Sequence, residues 1–146
     1  MVLSAGVIRK RLGDDSREGD LVIRPFEDAC LQPASYDLRV AEEVQLIRGQ
    51  CTLVPTLEWV ELPSDIAATL RGRSSYGRKG LLLGAGYVDP GFRGQLTICC
   101  TNMGSEDILV PGNTRFVQMI FHEVIGGSEI YSGRYQDSRG IVHARD

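Results

Sequence analysis

Metal-binding and disulfide patterns are the first things missing from this chain of 146 residues. It has two histidines, His122 and His143, and four cysteines, none of them in a CxxC spacing. Cys99 and Cys100 are adjacent while Cys30 and Cys51 stand apart, which excludes a zinc knuckle and the disulfide framework of a small secreted domain. Free thiols are expected. Long apolar runs are also missing: nothing approaches the roughly 18 consecutive apolar residues of a membrane-spanning helix. The N-terminal MVLSAGVIRKRLGDD becomes charged too early for a secretory signal, so a cytoplasmic location without a membrane partner is expected. Nor is there an excess of positive charge. Sixteen Lys and Arg against 19 Asp and Glu give a net charge of −3, which argues against a protein that coats nucleic acid by bulk electrostatics. A local basic cluster can still hold a phosphate. Repeats, low-complexity tracts and linkers are absent, and with 42% hydrophobic residues the chain reads as one domain, 1–146.

What is present is mostly strand pattern. The first segment reads as a helix: Ser4 can cap it, Leu3, Val7, Ile8 and Leu12 form a one-sided apolar stripe, and Gly13 can end it. From Leu21 onward come short runs such as LVIRPF, CTLVP, EWVELP, QLTICCTN and RFVQMIFHEV, divided by Gly, Pro, Asp and Asn, which is the signature of strands and turns. In the clearest of them Leu96, Ile98 and Cys100 share a core face, and Gln95, Thr97, Cys99 and Thr101 share a semi-polar one. Between Pro63 and Leu70, a second helical turn is expected, with Ser64 or Asp65 as its cap.

Two neighbouring blocks carry chemistry. The first, GRSSYGRKGL from Gly72, offers the planar, permanently charged fork of Arg73, the hydroxyl and backbone donors of Ser74 and Ser75 in a tight turn, and Arg78 nearby. Arg71 and Lys79 add to this charge, and the cluster suits a polyphosphate. The second, GYVDPGFRG from Gly86, places Asp89 between an apolar strand and a Pro-Gly turn, three residues before Phe92. Gln118 lies in the strand FVQMIF among apolar neighbours, so it must face away from the core or be satisfied within it. The segment 133–146 is polar and has no strong pattern, as a flexible arm would be.

These blocks, with three more, resemble motifs of the superfamily containing dUTP diphosphatases and dCTP deaminases. QPASYDLRV, ending at Val40, is similar to the first block of the deaminase branch, including an Asp at the place of Asp37. GRSSYGRKGL looks like that branch's GRSSLARLGL and, more loosely, the RSGLA block of the diphosphatases. Asp89 to Gly94 follows the DPGW/F or DxxY pattern, PGNTRFVQMIF the PGxRxxQxxF block, and RYQDSRGIV the KYxxQxG tail. The resemblance implies a mainly β fold: a dUTPase-like (β-clip) distorted antiparallel barrel or sandwich, assembled as a homotrimer with shared sites. It further implies that Asp89 deprotonates the water attacking the α-phosphorus, with Mg²⁺ carried by the substrate phosphates and water rather than by protein ligands. Phe92 would lie against the deoxyribose, and backbone groups of Ala85, Gly86, Tyr87 and Val88 would read the pyrimidine edge. Arg73, Ser74, Ser75, Arg78 and Gln118 would hold the phosphates, and Arg134, Tyr135 and Arg139 would close over the nucleotide.

Two positions depart from the deaminase pattern. Its strand after DPGW/F carries a glutamate ten residues beyond the Asp, which shuttles the proton for water addition at C4 of cytosine; here that residue is Cys99. A thiol is a shorter and poorer relay than a carboxyl group. The zinc route of other nucleobase deaminases needs HxE with a downstream PCxxC, and neither motif is present. Ser138 replaces the glutamine of the tail. The expected reaction is therefore hydrolysis of dUTP to dUMP and pyrophosphate, with dCTP deamination, alone or coupled to diphosphatase action, and a non-catalytic nucleotide-binding homologue as alternatives.

Overall fold

A computed structural model describes residues 1–14 and 17–146. The helix α1 spans Ala5–Leu12, with Val7 N donating to Ser4 Oγ at 3.4 Å and Gly13 at its C-terminal end in the left-handed region, φ 81°. After the short strands β1 (Gly13–Asp14) and β2 (Arg17–Glu18) follow β3 (Val22–Arg24), β4 (Leu31–Gln32), β5 (Ser35–Arg39), β6 (Val44–Leu46) and β7 (Cys51–Glu61). The second half comprises β8 (Ile66–Gly72), α2 (Ser74–Gly77), β9 (Leu81–Gly84), β10 (Tyr87–Val88), β11 (Arg93–Asn102), β12 (Ile108–Val110) and β13 (Arg115–Glu123). No helix among the described residues is long and apolar enough to cross a membrane.

Two antiparallel sheets carry the architecture, one of order β10-β8-β13-β5-β4 and one of order β3-β7-β11-β9. Their facing sides supply the core, with Tyr36, Leu38, Phe116, Met119 and Phe121 from the first and Val54, Val60, Ile98 and Cys100 from the second. Removing such apolar surface from water is the main favourable term in folding. The expected core face of β11 is buried at Ile98 and Cys100, while Leu96, at the register shift between Gln95 and Thr97, is half-buried and packs against the core. One polar pair lies inside. Glu58 is fully buried on β7 and accepts from Arg39 Nε at 2.7 Å and from Arg39 N at 2.9 Å.

The helical turn expected over Pro63–Leu70 is not formed. Ile66–Gly72 is the central strand β8, paired with β13 on one side and β10 on the other. Alanine-rich IAATL has helical propensity, but two flanking strands and the burial of Ile66, Ala67 and Ala68 override it. Asp65 does not cap a helix; it accepts from Arg11 Nη2 at 2.7 Å and ties α1 to the entry of β8. Conversely, the tight turn expected at Ser74 and Ser75 is one turn of helix, α2, with Tyr76 packed edge-on against Phe116 at 5.3 Å.

Candidate active site

The fold makes a cavity of about 710 Å³ beside the β10–β11 turn. One wall is the connection Ala85–Asp89, the floor is Gln95, Leu96, Thr97 and Cys99 of β11 with Leu53 of β7, and the far wall is the C-terminal segment. The chain reverses at Ala85, which holds the left-handed φ of 61°, and Leu70 N donates to Gly86 O at 2.7 Å. That bond pins the wall to β8. Past β10, Phe92 N donates to Asp89 O at 3.2 Å, closing the Asp-Pro-Gly-Phe turn through its backbone and leaving the Asp89 side chain exposed at the cavity. Phe92 serves two surroundings at once: it is only 7% exposed, belongs to the core, packs edge-on against Tyr131 at 5.7 Å, and still lines the cavity.

Cys99 lies on the cavity floor. Burial, the larger cause, and the neighbouring Cys51 both push its thiol above the usual range, so at neutral pH it is protonated. It offers no base there. Asp89 is the one carboxylate among the described residues lining this cavity.

The phosphate-type residues form a separate constellation. On the five-stranded sheet Asp37, Gln118 and Arg71 stand opposite one another across β5, β13 and β8, which puts their side chains on one face. Arg73 follows immediately after β8, its Nε 3.3 Å from Asp37 Oδ2 and its Nη1 donating to Arg115 O at 3.3 Å. Arg115 Nη1 is 3.6 Å from the same carboxylate oxygen. Asp37 is 1% exposed, and burial raises its carboxyl above the ordinary value despite the two guanidinium groups. Ser74, Ser75 and Arg78 are exposed, and Gln118 is half-buried.

Of the residues expected in one site, Ala85, Gly86, Tyr87, Val88, Asp89, Phe92 and Tyr135 do surround a single cavity. Arg73, Ser74, Ser75, Arg78 and Gln118 are not among its lining residues. Arg134 and Arg139 are placed elsewhere as well. Arg134 exchanges hydrogen bonds with Arg145, and Arg139 lies over the Trp59 ring at 4.5 Å. Sequence reasoning missed Gln95, Thr97, Tyr131, Val142 and His143 as lining residues. A usable signal existed for the first two, because the semi-polar face of β11 is the cavity floor.

Comparison with known proteins bears on the family and the fold. A family model described as dCTP deaminase-like matches residues 41–124. A dCTP deaminase of Thermococcus sibiricus is 36% identical over 147 aligned positions, covering 89% of this chain and 94% of that protein. A dUMP-forming dCTP deaminase of Aquifex aeolicus is 31% identical, covering 99% of this chain and 94% of that protein. Among solved structures, EIAV dUTPase superposes with a TM-score of 0.62 at 23% identity over 80% of this chain and 98% of that one, which identifies the dUTPase-like fold.

Proposed function

Since the chain belongs to the dCTP deaminase-like family, we propose, within the pyrimidine deoxynucleotide chemistry of its relatives, that it hydrolyses dUTP to dUMP and pyrophosphate. The observation that carries this reading is the chemistry of the cavity: Asp89 is exposed to it, and the place of the deaminase glutamate is held by the protonated thiol of Cys99. Attack of water on the α-phosphorus needs a proton acceptor beside the nucleophile, and Asp89 fits that role. Deamination would instead need a carboxyl group where Cys99 stands, to take the proton of the water adding at C4 of cytosine and pass it to the departing ammonia.

In this reading the pyrimidine enters the cavity between Ala85–Val88 and β11, where fixed backbone donors and acceptors match its edge. Phe92 presents an apolar face to C2′ of the sugar, so a ribose hydroxyl would lose its hydrogen bonds. Water bound to Asp89 gives up its proton, the new bond forms at the α-phosphorus, and the bond to the bridging oxygen breaks as pyrophosphate leaves. No group of three or more metal-ligating side chains lies together among the described residues. Mg²⁺ brought in on the triphosphate would neutralise phosphate charge. The triphosphate itself goes to Arg73, Ser74, Ser75, Arg78 and Gln118. As these residues do not line the Asp89 cavity of their own chain, the proposal includes a homotrimer that joins the two half-sites across subunits, acting in the cytoplasm.

A second reading, dCTP deamination coupled to hydrolysis, is favoured by one specific fact: a relative aligned over 99% of this chain is a dUMP-forming dCTP deaminase. The first reading is tested with Asp89→Asn. The variant should bind dUTP in isothermal titration and release pyrophosphate at about 10²–10⁴-fold lower rate. Unchanged turnover removes Asp89 from the chemistry and the reading with it.

A further inference from the structure

The C-terminal segment, which carries the tail motif, forms a wall of the cavity by docking on the free half of β11. β9 pairs only with Cys99–Asn102 of that strand, which leaves the backbone of Arg93–Thr97 open on the same side. The segment fills it in parallel. Arg93 N donates to Gln136 Oε1 at 2.9 Å, Asp137 N to Arg93 O at 2.9 Å, Gln95 N to Ser138 O at 2.8 Å, and Val142 N to Thr97 Oγ1 at 3.0 Å. Gly94 and Ser138 form the bridge between the two stretches.

Gln95 is the centre of this arrangement. Its Nε2 donates to Thr56 O at 3.1 Å on β7, and its Oε1 accepts from Gly140 N at 2.8 Å. The side chain thereby ties the docked segment to the strand on the other side of β11, at the register shift between Gln95 and Thr97. Two surface contacts reinforce the seat: the Arg93–Asp137 ion pair and Arg139 over Trp59.

The turn is also shaped for its own chain's end. A Cβ at Gly91, φ 79°, would stand 2.3 Å from Ile130 Cβ, and one at Gly94, φ 150°, would stand 3.0 Å from Ser138 N. Both positions therefore need glycine for conformation and for room. The same turn that presents Asp89 leaves space for the segment that follows β13.

We propose that Gln95 and Thr97 are positioning residues that seat the segment Gln136–Val142 in cis, as a wall of the Asp89 cavity. Seating brings Tyr135, Ser138, Val142 and His143 to the cavity. The base side of the nucleotide site is then made by one chain, whatever the origin of the phosphate side. The inference concerns the same cavity as the proposed hydrolysis, but its test reads chain geometry rather than turnover, so the two fail separately.

The experiment is a disulfide trap. Arg93→Cys and Asp137→Cys are introduced together with Cys51→Ser and Cys99→Ser, which removes the two native thiols that are not buried. Both new positions are about half exposed, so folding is retained, and the hydrogen bond from Asp137 N to Arg93 O brings their α-carbons within disulfide reach. After oxidation and denaturation, the expected product has the mass of one chain with the 93–137 peptides linked. Covalent dimers or trimers would show docking in trans and overturn the proposal, as would four maleimide-reactive thiols in the denatured chain instead of the two contributed by Cys30 and Cys100. For Gln95 itself, Gln95→Leu should speed tryptic cleavage after Arg139 about tenfold while the melting temperature changes by less than about 3 °C. Unchanged cleavage would remove Gln95 from the seat.

Discussion

Asp37 Oδ2 stands 3.3 Å from Nε of Arg73, so the arginine proposed to meet the triphosphate is held by a carboxylate that is itself out of solvent. Its other oxygen, Oδ1, has no hydrogen-bond partner among the described residues. Burial is the largest influence on this group and raises its pKa above 3.8; Arg73 and Arg115 oppose the shift. The unfolded chain therefore releases this proton at lower pH than the folded one. Stability contributed by Asp37 is highest below pH 3.8 and falls as pH rises through the folded value. In urea melts between pH 3.5 and 7, the wild-type protein should lose stability relative to Asp37→Asn as pH rises through that window. A difference that grows in the opposite sense would contradict the burial argument.

Glu58 and Arg39 give the larger effect on stability. Glu58→Gln removes the charge that receives both Nε and N of Arg39 and leaves a guanidinium in the core. A loss of about 3–5 kcal/mol is expected in equilibrium urea unfolding, the scale for breaking a buried pair by removing one partner. A loss below about 1 kcal/mol would mean that water or another acceptor replaces the carboxylate.

Cys99→Ala should leave dUTP hydrolysis within about threefold, because a protonated thiol on the cavity floor neither accepts nor donates the reacting proton. A large loss in steady-state kinetics would bring the thiol into the mechanism.

Phe92→Leu should narrow the preference for dUTP over UTP by about 10–100-fold in kcat/KM, since the flat apolar face beside the sugar is lost. Phe92 also fills core at 7% exposure, so the same change should cost about 1 kcal/mol in unfolding. A preserved preference with lowered stability would make it a core residue only.

Much of the fold was legible because its signals are local. Ser4 and Gly13 mark the ends of α1, and the alternation of Leu96, Ile98 and Cys100 fixes the inner face of β11. The error at Pro63–Leu70 arose where local propensity and long-range pairing disagree, and pairing on both sides of β8 wins. The cavity was legible at Asp89 and Phe92, which a short turn presents together. Gln95, Thr97 and the seat of the C-terminal segment on β11 were not, because they depend on contacts more than forty residues apart, such as Gly140 with Gln95. Arg139 reads in sequence as a contact of the arm that closes over the nucleotide, but a tryptophan eighty residues earlier holds it in the structure.

The most direct measurement of the central claim is product analysis by anion-exchange chromatography after incubating the purified protein and Mg²⁺ with dUTP and with dCTP in separate reactions. The expected result is dUMP and pyrophosphate from dUTP, with dCTP returned intact and no ammonia released. Formation of dUTP or dUMP from dCTP would contradict the meaning assigned to Cys99, and binding of both nucleotides without product from either would make the chain a nucleotide-binding homologue rather than a hydrolase.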